Sequence, residues 1–352
     1  MRARKSGWIG AWFELARTTA RATGKINNAA GRATAKRAGP ALRKAATALL
    51  TGVATPTPAP MPAARGGGRW EEGRWGLGPM AMRRYRLYLP PGIRRPVPLV
   101  VLLHGCGQDS ASFAATTRAA ANARAGGYAV LLPEQASEAN PNRCWNWFGR
   151  EPIVATEAAI LSAIIDQVCS VHPLRRDRVF ALGLSAGGAM ALTLALRDPD
   201  LFAAVGTHSG AVPHSASSAL QAGQAMRGRR SPALAGLRHR LRGRRLPPLI
   251  VIHGDGDRSV AWANAEESVA LWLGLLAPTV ATAAASRAAQ RGARHAYSVT
   301  DWKRDRRVYV RMIRVAGLGH AWSGGASKQA FSDPRGPDAL KLAWRFFDAC
   351  AA

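Results

Sequence analysis

The chain has 352 residues, and its hydrophobic content of 47% is large enough for a sizeable core, which excludes a globally disordered protein. The 49 Lys and Arg against 21 Asp and Glu give a formal net charge of +28, yet no nucleic-acid-binding module is recognisable. Four cysteines are too few for a disulfide scaffold, and no run approaches the roughly 18 apolar residues of a membrane-spanning helix.

A basic arm is predicted to precede the folded part of the chain. Residues 1–69 carry 13 basic side chains and one acidic side chain, a net charge of +12. Residues 55–62 contain proline at every second position, which is typical of a stiff linker, and three glycines follow at 66–68. We therefore expect a largely disordered arm over residues 1–69 and one folded domain over residues 70–352.

The beginning of this arm has two interpretations. Trp8, Trp12 and Leu15 recur at helical spacing among basic residues, a pattern typical of an amphipathic helix that binds an anionic surface. The alternative is a disordered basic segment with a few aromatic residues. Glu14 interrupts the short apolar stretch, which argues against a secretory signal sequence.

Beyond the arm, apolar segments alternate with helix-like segments. Strands are predicted at 84–89, 98–103, 129–132, 178–183, 202–207, 249–253 and 307–315. Helices are predicted near 111–125, 154–170, 187–197, 262–275 and 338–349. The runs at 99–103 and 249–252 are continuously apolar, as in parallel strands that are buried on both faces. The pattern predicts an α/β fold with a doubly wound, mostly parallel sheet, in which ligands bind beyond the carboxyl ends of the strands.

One of these strand ends carries a nucleophile pattern. Residues 183–188 read Gly-Leu-Ser-Ala-Gly-Gly, which matches G-x-S-x-G between a predicted strand and a predicted helix. Such a sharp turn presents the hydroxyl group of Ser185 above the sheet, where a base could activate it. The alternative is a glycine-rich turn without chemistry.

A base and an orienting acid should follow the nucleophile in the chain. His320 lies in a glycine-containing loop after the last predicted strand, whereas His208 and His214 precede any suitable acid. Two aspartates follow the strand at 249–253. Asp257 is favoured as the acid because the turn must reverse before a side chain faces His320, and Asp255 is then a turn-capping residue.

Acyl transfer also requires donors for an oxyanion. The backbone N–H of Ala186 follows the nucleophile directly, and the glycine-flanked Cys106 lies in the loop after an early strand, so its N–H is the second candidate. Cys144 lies on another loop, and we hypothesise that a disulfide between Cys106 and Cys144 rigidifies the first one. Two free buried thiols are the alternative.

Aromatic side chains are close in sequence to these loops. Trp145, Trp147 and Trp322 are candidates for lining an apolar, substrate-binding cleft, with ordinary loop packing as the alternative. Residues 214–247 are rich in arginine and are interpreted as a basic surface insertion. No His or Cys cluster has the spacing of a metal site and no phosphate-binding loop is present, so we expect no metal and no other cofactor.

Five motifs together resemble one known family. They are Leu-His-Gly-Cys-Gly-Gln at 103–108, Cys-Trp-Asn-Trp at 144–147, the 183–188 turn, His-Gly-x-x-Asp at 253–257 and Gly-His-Ala-Trp-Ser-Gly-Gly at 319–325. In this order they resemble the polyhydroxybutyrate depolymerase family of esterases. The resemblance implies an α/β-hydrolase catalytic domain and a triad of Ser185, Asp257 and His320.

The resemblance also implies a function. We expect a serine carboxylic-ester hydrolase that acts on poly(3-hydroxybutyrate) or hydroxyalkanoate oligomers, or on related short-chain esters, through an acyl-enzyme. The similar feruloyl and acetylxylan esterases give one alternative. The other is a protein that binds a granule or nucleic acid through residues 1–69. Family members are commonly extracellular, but no convincing signal sequence is seen, so a cytoplasmic or granule-associated location stays open.

Overall fold

A ten-stranded sheet runs through the part of the chain that the computed structural model describes, which is residues 67–76, 81–232, 234–241, 243–276 and 286–351. The strands are β1 (Arg69–Trp75), β2 (Arg83–Leu89), β3 (Val97–Leu103), β4 (Ala129–Glu134), β5 (Leu174–Leu184), β6 (Ala204–His208), β7 (Leu249–Gly254), β8 (Arg287–Ala289), β9 (Tyr297–Arg304) and β10 (Arg307–Val315). Their order is β1-β2-β4-β3-β5-β6-β7-β10-β9-β8. A second sheet pairs β11 (Trp322–Ser323) with β12 (Ser332–Asp333).

The six central strands are parallel to one another; in spatial order they are β4, β3, β5, β6, β7 and β10. Antiparallel strands flank them on both sides. Because the central strands share one direction, the loops that carry Ser185, Asp257 and His320 all leave the same edge of the sheet. Leu99, Val100 and Val101 in β3 are fully buried, as the apolar run predicted. The predicted doubly wound α/β architecture is confirmed.

The helices cross between these strands. They are α1 (Ser110–Thr117), α2 (Ala119–Gly126), α3 (Glu151–Val171), α4 (Ala186–Arg197), α5 (Ala219–Met226), α6 (Leu234–Arg240), α7 (Ala263–Leu275) and α8 (Ala339–Cys350). The helix predicted over residues 111–125 is divided in two, because Arg118 adopts a left-handed backbone conformation with φ of 52° between α1 and α2. Helices α5 and α6 lie within the predicted basic insertion, which the sequence indicated as a solvated helix and loop without bounds.

Helix α3 is long and apolar enough to cross a membrane by length and composition. One face of it instead packs inside the fold, where α3 contacts β4, β5 and α4, and residues such as Ile153 and Val171 are exposed. Among its buried residues is Glu157, which forms an ion pair with Arg83 of β2. This is the pattern of a core helix.

Most of the predicted arm over residues 1–69 lies outside the described residues, and so does its predicted amphipathic helix. Its last three residues are described, and they meet the edge of the sheet. The Tyr88 hydroxyl donates to the carbonyl oxygen of Gly67 at 2.9 Å, and Arg69 pairs with Leu89 in the sheet. The first strand therefore begins one residue before the predicted boundary at residue 70.

Candidate active site

Ser185 occupies the turn between β5 and α4. Its backbone has φ of 57° and ψ of −119°, a region that non-glycine residues rarely adopt. The Ser185 N–H donates to the His208 carbonyl oxygen at 2.9 Å, and the Ser185 carbonyl oxygen accepts from Ala189 N–H at 3.0 Å. The surrounding structure thus holds the serine in a strained conformation at the carboxyl end of a central strand.

The glycines around Ser185 are required by close backbone approach. A Cβ atom on Gly183 would lie less than 3.0 Å from the backbone of Gly187. A Cβ atom on Gly187 would lie less than 3.0 Å from the carbonyl oxygens of Leu103 and His104. The turn is therefore packed against the end of β3, and this contact brings the 103–108 loop beside the serine.

His320 and Asp257 form a short hydrogen bond on the same edge of the sheet. His320 Nδ1 lies 2.7 Å from Asp257 Oδ2, and the Asp257 side chain is fully buried. The other carboxylate oxygen, Oδ1, accepts from the N–H groups of Ser259 and Val260, both at 2.9 Å. Because both oxygens are bonded, the Asp257 carboxylate has one orientation, in which Oδ2 accepts the proton on His320 Nδ1. The other ring nitrogen of neutral His320, Nε2, then carries no proton.

The electrostatic environment keeps Asp257 ionised. Burial raises the pKa of this carboxyl group, but the hydrogen bond and charge of His320, the Val260 N–H and the nearby His253 together lower it more. The net pKa lies below the ordinary value. A charged, buried carboxylate stabilises a positive charge that develops on His320.

The second aspartate of the turn faces elsewhere. The Asp255 carboxylate accepts from the Gly317 N–H at 2.7 Å and pairs with Arg314 at 3.0 Å. It therefore ties the turn after β7 to the loop after β10, and the structure places Asp257, not Asp255, against His320.

The 103–108 loop lies beside the serine. A Cβ atom on Gly105 would lie 3.7 Å from the Ser185 Cβ. Within the described residues, the N–H groups of Cys106 and Ala186 donate no hydrogen bond to a backbone carbonyl oxygen of a turn, loop or cap. A disulfide joins Cys106 to Cys144, and the Gly107 N–H donates to the Asn142 carbonyl oxygen at 2.9 Å. The 142–148 segment thereby holds the loop at two points.

The prediction that three tryptophans line the substrate cleft is wrong for two of them. The side chains of Trp145 and Trp322 are completely buried, so they cannot contact a substrate in this structure. The Trp145 Nε1 group donates to the His104 carbonyl oxygen at 3.0 Å, and Trp322 stacks on His208. They support the loops because their large apolar rings fill the space beneath them. Trp147 is 5% exposed.

His208 links the two halves of the site, a role that the sequence reasoning missed. Its Nε2 accepts from the Ser323 N–H at 3.0 Å, and its carbonyl oxygen accepts from the Ser185 N–H. One residue therefore ties the serine turn to the loop that carries His320. Its position at the end of β6 was the available signal, since strand ends meet at this edge.

Burial keeps His208 neutral, and this predicts a loss of stability in acid. Desolvation, then the charges of His253 and His320, lower the pKa of His208 to about 3. In the unfolded chain the pKa is about 6.5, so the unfolded state binds the extra proton as the pH falls below that value. The stability that the neutral His208 ring contributes is fully present above about pH 6.5, and it is lost as the pH falls towards about 3. We expect the difference in Tm between wild type and His208→Gln to shrink from pH 6.5 to 4.5. Parallel Tm curves in thermal melts would contradict this expectation.

The described residues contain no group of three or more His, Cys, Asp or Glu side chains that could hold a metal ion. The two cysteines outside the disulfide, Cys169 and Cys350, are partly buried free thiols on α3 and α8. Burial raises the pKa of the Cys169 thiol to about 11 and that of Cys350 to about 12. Both thiols therefore stay protonated near neutral pH, and neither is a reactive nucleophile there.

Comparison with known proteins identifies the family. Residues 83–295 match the family described as Esterase PHB depolymerase, and this is more than half of the chain. The chain belongs to this family. Poly(3-hydroxyalkanoate) depolymerase C from Paucimonas lemoignei is 32% identical over 204 residues, which are 55% of this chain and 49% of that protein. Feruloyl esterase B from Neurospora crassa is 28% identical over 141 residues, which are 39% of this chain and 46% of that protein. The chain thus spans about half the length of these curated relatives.

Solved structures confirm the α/β-hydrolase fold. An acetyl xylan esterase from Aspergillus awamori superposes with a TM-score of 0.61 at 18% identity, covering 79% of this chain and 99% of that chain. An S-formylglutathione hydrolase from Agrobacterium tumefaciens superposes with a TM-score of 0.52 at 16% identity, covering 76% and 93%. At such identities the likeness concerns the fold and not the substrate.

Proposed function

We propose that this member of the PHB depolymerase family hydrolyses carboxylic esters with Ser185 as nucleophile, His320 as base and Asp257 as orienting acid. The observation that carries the proposal is the 2.7 Å hydrogen bond from His320 Nδ1 to the fully buried Asp257 carboxylate. This bond fixes the tautomer in which Nε2 accepts a proton. Ser185 leaves the same edge of the sheet in a strained turn.

The reaction proceeds in two steps. His320 Nε2 takes the hydroxyl proton of Ser185 as the oxygen attacks the ester carbonyl, and the N–H groups of Ala186 and Cys106 stabilise the oxyanion. Collapse of this intermediate expels the alcohol, which receives the proton from His320, and leaves an acyl-enzyme. His320 then takes a proton from a water molecule as the water oxygen attacks the acyl-enzyme. When this second intermediate collapses, the proton passes from His320 to the Ser185 oxygen and the acid is released. Trp147 stays a candidate for substrate contact.

The proposed substrates are 3-hydroxyalkanoate oligomers. Of the two curated relatives described above, the hydroxyalkanoate depolymerase matches over 204 residues at 32% identity and the feruloyl esterase over 141 residues at 28%. The longer and more similar match favours a hydroxyacyl ester. A feruloyl ester is the second candidate, favoured by the match to feruloyl esterase B from Neurospora crassa.

Initial rates on three soluble esters test this proposal. We expect kcat/KM for the trimer of 3-hydroxybutyrate to exceed that for methyl ferulate by at least about tenfold, a difference of roughly 1.4 kcal/mol in transition-state binding. p-Nitrophenyl butyrate serves as the unspecific reference. The reverse ratio would support the feruloyl alternative. Failure of wild-type protein to hydrolyse any of the three esters would refute ester hydrolysis.

A further inference from the structure

A buried carboxylate lies beneath the candidate oxyanion loop. The Glu157 side chain on α3 is 2% exposed, and it receives hydrogen bonds from three separate parts of the fold. Arg83 of β2 donates to Oε1 at 3.2 Å, while Gln135 and Asn146 donate to Oε2 at 2.9 Å and 2.6 Å. Burying a carboxylate costs free energy unless it is paired in this way, so these partners are held firmly to it.

Gln135 carries this arrangement towards the site. Its Nε2 group, bonded to Glu157, also donates to the Cys144 carbonyl oxygen at 3.0 Å, and Cys144 is bonded to Cys106. Its backbone N–H donates to His104 Nε2 at 3.1 Å. Gln135 thus connects Glu157 to Cys144, the disulfide partner of Cys106, and to His104, which precedes the Gly105–Cys106 peptide.

The bond to His104 fixes a proton. Because Nε2 of His104 accepts from Gln135, the proton of the neutral ring is on Nδ1, which donates to the Gly105 carbonyl oxygen at 2.8 Å. Burial lowers the pKa of His104 and so keeps the ring neutral. The Gly105 carbonyl group belongs to the same planar peptide unit as the Cys106 N–H. Holding the oxygen of that unit therefore sets the direction of the N–H.

We propose that Glu157 is a positioning residue, which orients the Cys106 N–H towards the oxyanion through Gln135 and His104. This inference rests on the proposed ester hydrolysis. Glu157 touches no substrate. Its carboxylate holds Gln135, Gln135 holds the His104 ring, and the ring holds the Gly105–Cys106 peptide. Asn146 anchors the 142–148 segment to the same carboxylate, next to the Trp145 bond to His104.

A pair of matched variants tests the proposal. Glu157→Gln removes the charge that orders the network, and Asp301→Asn is the control. Asp301 is another carboxylate with 2% exposure, and it is paired with Arg311 and Arg287 in the β8–β10 part of the sheet. Both changes should lower Tm. Only Glu157→Gln should lower kcat on p-nitrophenyl butyrate, by at least about tenfold with KM within about twofold, because the oxyanion contact forms in the transition state.

Asn146→Ala provides a second variant if Glu157→Gln does not fold. It removes one donor to Glu157 and the acceptor of the Asn140 amide group, which lies 3.1 Å away. The pairing of Glu157 with Arg83 stays intact, so we expect folded protein with kcat lowered about threefold or more at unchanged KM. The positioning role would be overturned if the wild type were active and the folded Glu157→Gln or Asn146→Ala variant had the same kcat as Asp301→Asn. An inactive wild type would instead overturn the proposed ester hydrolysis.

Discussion

Replacing Ser185 by alanine is expected to lower kcat for p-nitrophenyl butyrate by at least about 10⁴-fold, because the acyl-enzyme cannot form without the hydroxyl group. The remaining rate would come from the oxyanion donors and from binding. Alanine retains the Cβ atom, and the backbone bond from residue 185 to the His208 carbonyl oxygen does not involve the side chain. Tm should therefore stay close to that of the wild type. Initial rates and thermal melts on the same preparation measure both quantities.

Ser170→Ala is the matched control for this change. Ser170 lies exposed near the end of α3, and its hydroxyl group donates to the Gln167 carbonyl oxygen. We expect full activity from this variant. If Ser185→Ala kept a tenth or more of the wild-type kcat, Ser185 would not be the nucleophile, and the strained turn would have a structural role.

Replacing Gly187 by alanine is expected to destabilise the protein by about 3 kcal/mol or more, or to prevent folding. Helix propensity alone predicts the opposite, since alanine is favoured over glycine in a helix by about 1 kcal/mol. In this structure, however, a Cβ atom at residue 187 would overlap the backbone oxygens of Leu103 and His104. Backbone atoms at the end of a central strand cannot move aside cheaply. Urea denaturation of both proteins gives the difference in the free energy of unfolding.

Gly236→Ala is the control with the same chemical change. Gly236 lies in α6, and a Cβ atom there would meet nothing within 4 Å. We expect stabilisation of up to about 1 kcal/mol. If both replacements changed the free energy of unfolding by the same amount in the same direction, the close approach of α4 to β3 would not be the reason why residue 187 must be glycine.

Local sequence patterns predicted the strands and the turn that carry the candidate site. Continuous apolar runs indicated the buried parallel strands, because a strand covered on both faces needs apolar side chains at every position. The spacing of Gly183, Ser185 and Gly187 indicated the turn, because only glycine fits where a strand and a helix meet so closely. His320 and Asp257 were chosen because they follow strand ends, and the structure places them 2.7 Å apart.

The tertiary structure alone decided which polar and aromatic residues support that framework. Glu157 and Arg83 are separated by 74 residues, and His208 and Ser323 by 115, so no local pattern reports their contact. Trp145 and Trp322 looked like cleft residues because they are near the site in sequence, yet the packing of the loops buries both. Burial is set by neighbours from distant parts of the chain, and it determines whether a side chain contacts a substrate or holds the residue that does.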